Sequence, residues 1–229
     1  MKKFLPFLVV GGVLLLDQTL KIWIKLNFPF GEVTQLASWF KLYFIENEGM
    51  AFGMKLGGAD GKLILTLLRI GMAGGIIYYL VKLFHKKSSA GLIISVSLIL
   101  AGALGNLIDS VFYGVLFSES SSQQIATWLP LNGGYESMLH GHVVDMLFFP
   151  IFEGYMPSWI PFYGGDYVVF FQPIFNVADA SISCGVLLIV LFQKQFFNVH
   201  HQEDASGDPS LSESDNTGII ADENSHLPK

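Results

Sequence analysis

Two aspartates of this chain stand where a carboxylate is costly. Asp145 lies in the apolar stretch Val143-Val144-Asp145-Met146-Leu147, and Asp179 lies near the start of a long apolar segment, in Asn176-Val177-Ala178-Asp179. Neither has a Lys or Arg close in sequence to neutralise it. Two carboxylates sharing one site cannot both ionise comfortably, so one of them keeps a proton at neutral pH. The charged partner can then take a proton from water as that water attacks a peptide carbonyl. The neutral partner can hydrogen-bond the carbonyl oxygen as charge develops on it. Such chemistry hydrolyses a peptide bond without a metal. Further polar pairs recur at helical spacing: Asp17 with Lys21, Asn106 with Asp109, and Asn176 with Asp179.

The elements that must hold these groups follow from composition. Of 229 residues, 52% are hydrophobic and 14% are charged, with a mean hydropathy of +0.50. Soluble domains carry about a quarter charged residues, so the composition points to the bilayer. A spanning helix needs about 20 mostly apolar residues. Four segments qualify: Phe4–Leu26, Leu63–Phe84, Ala90–Phe112 and Ile174–Phe197, with long polar loops at 27–62 and 113–173. Lys2 and Lys3 precede the first segment, Lys82, Lys86 and Lys87 mark the short second turn, and Lys194 closes the fourth. The stretch Tyr113–Pro173 contains no Lys or Arg. Positive residues stay inside, so both termini and the short turn are expected in the cytoplasm and both long loops outside. The apolar N-terminal run continues past Asp17 and Lys21 without a small-x-small cleavage site, which makes it a retained first helix in this reading.

On that topology Asp17 and Lys21 fall in the outer half of the first helix, Asn106 and Asp109 at the outer end of the third, and Asn176 and Asp179 at the outer start of the fourth. Asp145 lies in the outer loop. Carboxylates and amides from three helices and one loop thus meet at one membrane depth, and ionisable groups at such depth are functional hypotheses by default. Asp17 and Lys21 read as an ion pair that braces the site. Trp39–Ile45 and Tyr167–Phe171 are rich in strand-forming residues, so a small extracytoplasmic β element is expected beside an otherwise all-α bundle. Trp39, Trp128 and Trp159 suit either interfacial anchoring or packing within that element. Ser118–Gly141 reads as loop. Cys184 is the only cysteine, which excludes an internal disulfide, and packing is the reading for its thiol. Seven of the 19 acidic residues and one lysine fall in His201–Lys229, which leaves 12 acids against 12 bases in the rest. Residues 1–200 therefore read as the membrane domain and 201–229 as a disordered acidic tail.

Five blocks carry a resemblance: Asp17-Gln18-x-x-Lys21, Asn47-Glu48-Gly49-Met50-Ala51-Phe52-Gly53, Gly102-Ala103-Leu104-Gly105-Asn106-Leu107-Ile108-Asp109, Val143-Val144-Asp145, and Phe175-Asn176-Val177-Ala178-Asp179-Ala180. In this order they resemble the conserved blocks of bacterial lipoprotein signal peptidase (signal peptidase II), over most of the chain up to about Gln195. The resemblance implies a multi-pass aspartic endopeptidase of the bacterial cytoplasmic membrane, with four transmembrane helices and a β-cradle at the outer, periplasmic face. It would remove signal peptides from prolipoproteins just before a diacylglyceryl-modified cysteine. Asp145 and Asp179 would be its catalytic dyad, Asn47, Gly49, Asn106, Asp109 and Asn176 would line or support the site, and Asp17 and Lys21 would brace it. Lipid-modified prolipoproteins and membrane lipids are the implied partners, with no cofactor, no metal and no nucleic acid, and with a monomer as the working unit. Two departures stand out. Ser110 occupies the place where the family usually has arginine, and Arg69 is the only arginine in the chain. The 36 positions from Asp109 to Asp145 also imply an enlarged outer region, readable as a lid.

Other chemistries fit less well. His140-Gly141-His142 near Asp145 suggests a metal site, but the chain has no His-Glu-x-x-His. Gly164-Gly165-Asp166 lacks the first glycine of the Gly-x-Gly-Asp pattern, where Tyr163 stands, and it falls in a loop. A serine protease pattern of Gly-x-Ser with a helix-borne histidine is not seen. A transporter or purely structural protein would use the same carboxylates to relay protons or join helices, yet these groups cluster at one surface instead of tracing a path across the bilayer.

Overall fold

The computed structural model describes residues 4–47, 58–170 and 172–197. Gly49 with the rest of its block after Asn47 (48–53), and the tail 201–229, lie outside the described residues. The elements run α1 (Leu5–Asn27), β1 (Val33–Ala37), β2 (Phe40–Asn47), α2 (Gly58–His85), α3 (Ala90–Ile108), a π-helical turn (Asp109–Tyr113), α4 (Gly114–Leu116), β3 (Val143–Phe148), β4 (Phe152–Tyr155), β5 (Tyr167–Phe170), β6 (Ile174–Phe175) and α5 (Val177–Phe197).

Among the described residues four helices are long and apolar enough to cross a membrane: Leu5–Asn27, Asp60–His85, Ala90–Leu116 and Val177–Phe196. The third is the axis of the bundle, packed against α1, α2 and α5. Half of its apolar window is buried, against 17% in each of the others, whose free faces are lined by exposed Leu, Ile, Val and Phe. That is the pattern of a bundle solvated by lipid, where small residues let helices approach. Gly102, Gly105 and Gly185 lie at the α3–α5 contact, with neighbouring atoms so near that a Cβ at each would clash. Cys184, by contrast, is exposed on α5, so it does not pack in the interior as its apolar segment suggested.

A four-stranded antiparallel sheet, in the order β1-β2-β3-β6, joins the ends of the bundle. Its central strand β3 pairs with β2 (Asn47 opposite Val143, Ile45 opposite Asp145) and with β6 (Leu147 opposite Phe175). Val143, Val144, Asp145 and Met146 are all buried. Covered on both faces, β3 reads in sequence as an apolar run without alternation, which is why it was expected as loop. The fourth helix also starts later than expected. Ile174 and Phe175 are drawn into the sheet, and Asn176 then caps the helix that begins at Val177. Tyr167–Phe170 is a strand, but it pairs with β4 in a separate two-stranded sheet, tied to β2 by the Lys41–Glu153 ion pair at 2.5 Å. Trp39, Trp128 and Trp159 are all exposed, Trp39 stacking on Phe149 at 6.0 Å and Trp128 packing edge-on against buried Phe117 at 4.9 Å.

One apolar cluster (Ile24, Phe44, Tyr113, Phe117, Ala126, Val144 and Met146) binds α1, the sheet and the π turn together. The long segment after Phe117 is sewn to this core. Leu139 N–H donates to Val111 O at 3.0 Å, Gly141 N–H donates to Ser110 O at 2.9 Å, and the Thr66 hydroxyl donates to Leu139 O at 2.8 Å.

Candidate active site

The polar cluster starts at the N-terminus of α5. The first N–H groups of a helix lack partners within it, and here each neighbour supplies one. The Asn176 side-chain oxygen accepts from Asp179 N–H at 2.9 Å, and an Asp179 carboxylate oxygen accepts from Asn176 N–H at 3.5 Å. This is a reciprocal capping box in which the third helical residue is the aspartate itself. Ala178 N–H donates to Asp17 Oδ1 at 2.8 Å, so α1 satisfies the next position. Local sequence chemistry thereby fixes where Asp179 points.

Asp145 reaches the same place from β3. Its Oδ1 accepts from Asn176 Nδ2 at 2.7 Å, and its Oδ2 accepts from Asn47 Nδ2 at 3.4 Å. The Asn176 amide also lies 3.1 Å from Asn106 Oδ1 and 3.2 Å from Val144 O, so its two hydrogens are shared among three acceptors. Asn106 in turn donates to Asp179 Oδ1 at 2.7 Å. Asn176 therefore bridges the two aspartates, through its amide on one side and its cap on the other. Asp145 is 3% exposed and Asp179 is half-buried, so Asp179 is the more accessible of the two. Burial first, and then the charge of Asp179, push the Asp145 carboxyl up to about 7 from an ordinary 3.8.

Beneath the pair lies a buried ionic base. Lys21 Nζ is fully buried and bonds Asp109 Oδ2 at 2.7 Å, Asn106 Oδ1 at 2.9 Å and Asp17 Oδ2 at 3.0 Å. These contacts use all three of its hydrogens. Gln18 Nε2 adds bonds to Asp109 Oδ1 at 2.9 Å and Asp17 Oδ2 at 3.1 Å, and its oxygen accepts from Tyr113 OH at 3.1 Å. Asp109 also accepts from Val144 N–H at 3.3 Å, which ties β3 to the π turn. A π turn widens the helix at this point, and such turns recur at functional sites. Asp17, Lys21, Asn47, Asn106, Asp109, Asp145, Asn176 and Asp179 thus form one hydrogen-bonded network.

Sequence reasoning passed over several neighbours. Gln18 lay inside a recognised block but had no role. Lys25 on α1 pairs with Glu46 on β2 at 2.5 Å, bonds Ser120 Oγ at 3.0 Å and sits 4.8 Å from the Tyr135 ring. Burial raises Glu46, but His142, Lys25 and Ser120 outweigh it and hold its carboxyl at about 2. His142 is thus drawn to Glu46, while His140 bonds Ser137 Oγ at 2.9 Å. Among the described residues no group of three or more His, Cys, Asp or Glu side chains is arranged to hold a metal. Arg69, noted in the sequence as the only arginine but given no role, comes from α2 to donate to Ser110 Oγ. Its presence in a spanning helix was the available signal.

Residues 9–195 match the family model described as Signal peptidase (SPase) II. A lipoprotein signal peptidase of Porphyromonas gingivalis strain W83 is 49% identical over 180 residues, covering 78% of each chain. One from Amoebophilus asiaticus is 40% identical over 180 residues, covering 77% of this chain and 72% of its own. A solved bacterial membrane enzyme, determined by the in meso method at 2.3 Å resolution, superposes with a TM-score of 0.52 at 25% identity, over 84% of this chain and 90% of that one.

Proposed function

The chain belongs to the signal peptidase II family, and from that premise we propose that it is an aspartic endopeptidase that removes signal peptides from diacylglyceryl-modified prolipoproteins, cutting just before the lipidated cysteine. The observation that carries this reading is the Asn176 bridge, which holds Asp145 and Asp179 in one site through direct hydrogen bonds to both residues. Asp145, deep and desolvated, keeps the shared proton and offers it to the scissile carbonyl oxygen. Asp179 accepts from Asn106 and from Asn176 N–H at a helix N-terminus, donors that stabilise a carboxylate. It takes the proton from the attacking water. The proton then passes to the leaving amine, and the dyad returns to its singly protonated state.

The topology we infer puts both termini in the cytoplasm and the dyad at the outer face of the inner membrane, because the lysine-rich α2–α3 turn lies at the opposite end of the bundle from the sheet. A lipid-anchored peptide then presents its scissile bond at the depth of the dyad, with its acyl chains left in the bilayer. Asn47, Asn106 and Asn176 carry amides suited to an extended backbone.

The test is cleavage of a diacylated prolipoprotein in detergent by wild type, Asp145→Asn and Asp179→Asn, with and without EDTA. Both variants are expected to fold, to bind substrate and to lose at least about 10³-fold in rate, as acid–base groups do when removed. EDTA should leave the wild type unchanged. Cleavage retained by either variant would exclude the dyad, and chelator sensitivity would point to a metal enzyme instead.

A further inference from the structure

Arg69 is the only arginine in the chain and stands in the second spanning helix, where a guanidinium must be compensated. Thr66, one turn earlier on α2, is buried and anchored to Leu139 O, which fixes this part of α2 against the outer loop. From there Arg69 Nη1 donates to Ser110 Oγ. Ser110 is itself buried, and its hydroxyl donates to Asn106 O at 2.9 Å. Asn106 donates to Asp179. The guanidinium is therefore two side chains from the dyad, through Ser110 and Asn106.

The charges around the dyad come from several elements. α1 brings Asp17 and Lys21, the π turn brings Asp109, β3 brings Asp145 and α5 brings Asp179. Lys62 lies two turns away along α2, while Glu46 on β2 is matched by Lys25 and His142. With one proton on the dyad, the cluster around Lys21 carries three negative charges, and Lys21 offsets one. A second cation near the pair, two side chains away, favours the singly ionised dyad over the fully protonated one.

We propose that Arg69, seated on Ser110, is a positioning residue that holds the aspartate pair in its singly ionised, working charge state. Ser110 is small enough to leave room for a guanidinium arriving from α2, so the charge reaches the α3 side of the site from another helix. This inference rests on the peptidase reading, and its test uses the wild-type cleavage profile as the reference. Failure of the wild type to cleave would strike that reading and not this one.

The experiment records the pH dependence of kcat/KM for cleavage of a diacylated prolipoprotein by wild type, R69Q, R69K, S110A and R69Q/S110R. Loss of the cation should make the dyad harder to ionise and move the acidic limb up by about one pH unit in R69Q. R69K keeps the charge and should keep most of the wild-type limb. S110A loses the seat but not the charge, and should shift the limb by less than R69Q. R69Q/S110R, with the guanidinium delivered directly from α3, should return the limb towards wild type. A purely structural role would lower the rate equally at all pH. An R69Q profile lowered but unshifted overturns the proposal, as does a limb in R69K displaced as far as in R69Q. Should R69Q not fold, R69K and R69Q/S110R decide by whether they keep the wild-type limb.

Discussion

Asp145 is 3% exposed on β3, and burial followed by the charge of Asp179 pushes its carboxyl up to about 7. In the unfolded chain the same group titrates near 3.8. Between these values the folded protein holds a proton that the unfolded chain has released, so this group favours folding less as pH rises. Its cost is absent below the ordinary value, grows through the window, and is complete above about 7. Asparagine at 145 removes the ionisation and keeps the shape. D145N should therefore be inactive yet more stable than wild type at pH 8, by about 1–3 kcal/mol, with the gap closing near pH 4. Thermal melts of both proteins in one detergent across that range measure it. A gap that does not change with pH would mean that Asp145 is not the group carrying the buried proton. On the proposed mechanism the desolvation that suits Asp145 to the reaction is the same desolvation that the fold must bear.

Between elements, the sheet is held to the bundle by a few buried contacts, and the Lys25–Glu46 pair is the strongest candidate for its main tether. Lys25 is fully buried at the last turn of α1, and Glu46 is the penultimate residue of β2. Breaking a buried pair by removing one partner leaves an uncompensated charge and costs about 3–5 kcal/mol, whereas replacing both with apolar groups costs far less. E46Q should thus lower stability by about 3 kcal/mol, and K25M/E46L should recover most of that. Equal losses in the single and double variants would show that the pair is not the tether. Element by element, legibility followed the range of the interactions. Spanning helices announce themselves through local apolar length, and the polar positions on them inherit a depth from topology, which is how Asp179, Asn106 and Asp17 came to be grouped. β3 and β6 did not announce themselves. A doubly covered strand has no period, and two apolar residues before a helix look like its first turn until their pairing with β3 is seen. The seat of Arg69 on Ser110 was equally hidden, since it depends on the rotation of α2 against α3 and leaves no trace in spacing.

At the scale of the whole molecule, the site is the meeting point of two orders of packing: helices that must touch backbone to backbone, and a sheet laid across their ends. The α3–α5 contact sets the registration between Asn106 and Asp179, because both lie within two turns of Gly102 and Ala178. A Cβ on Gly102 would stand 2.2 Å from Ala178 O and 2.6 Å from Ile182 Cγ1, and one on Gly105 would meet Asp17 Oδ2 at 2.7 Å. Backbone oxygen cannot yield as a flexible side chain does. A methyl group at Gly102 must therefore part the two helices just below the capping box, moving Asp179 away from Asn106 and Asn176 together. G102A should cost about 1–3 kcal/mol in stability, as overpacking does. It should also lower the cleavage rate by about 10²-fold, because displacements of about 1 Å at reacting groups have effects of that size. Gly74 on α2 has nothing within 4 Å of the corresponding position, so G74A is the matched control and should change neither quantity appreciably. Melting temperature and kcat measured together for the two variants separate the cases. If G102A lost stability in proportion to G74A, or kept its full rate, the registration of the dyad would rest on the sheet alone and not on the approach of these helices.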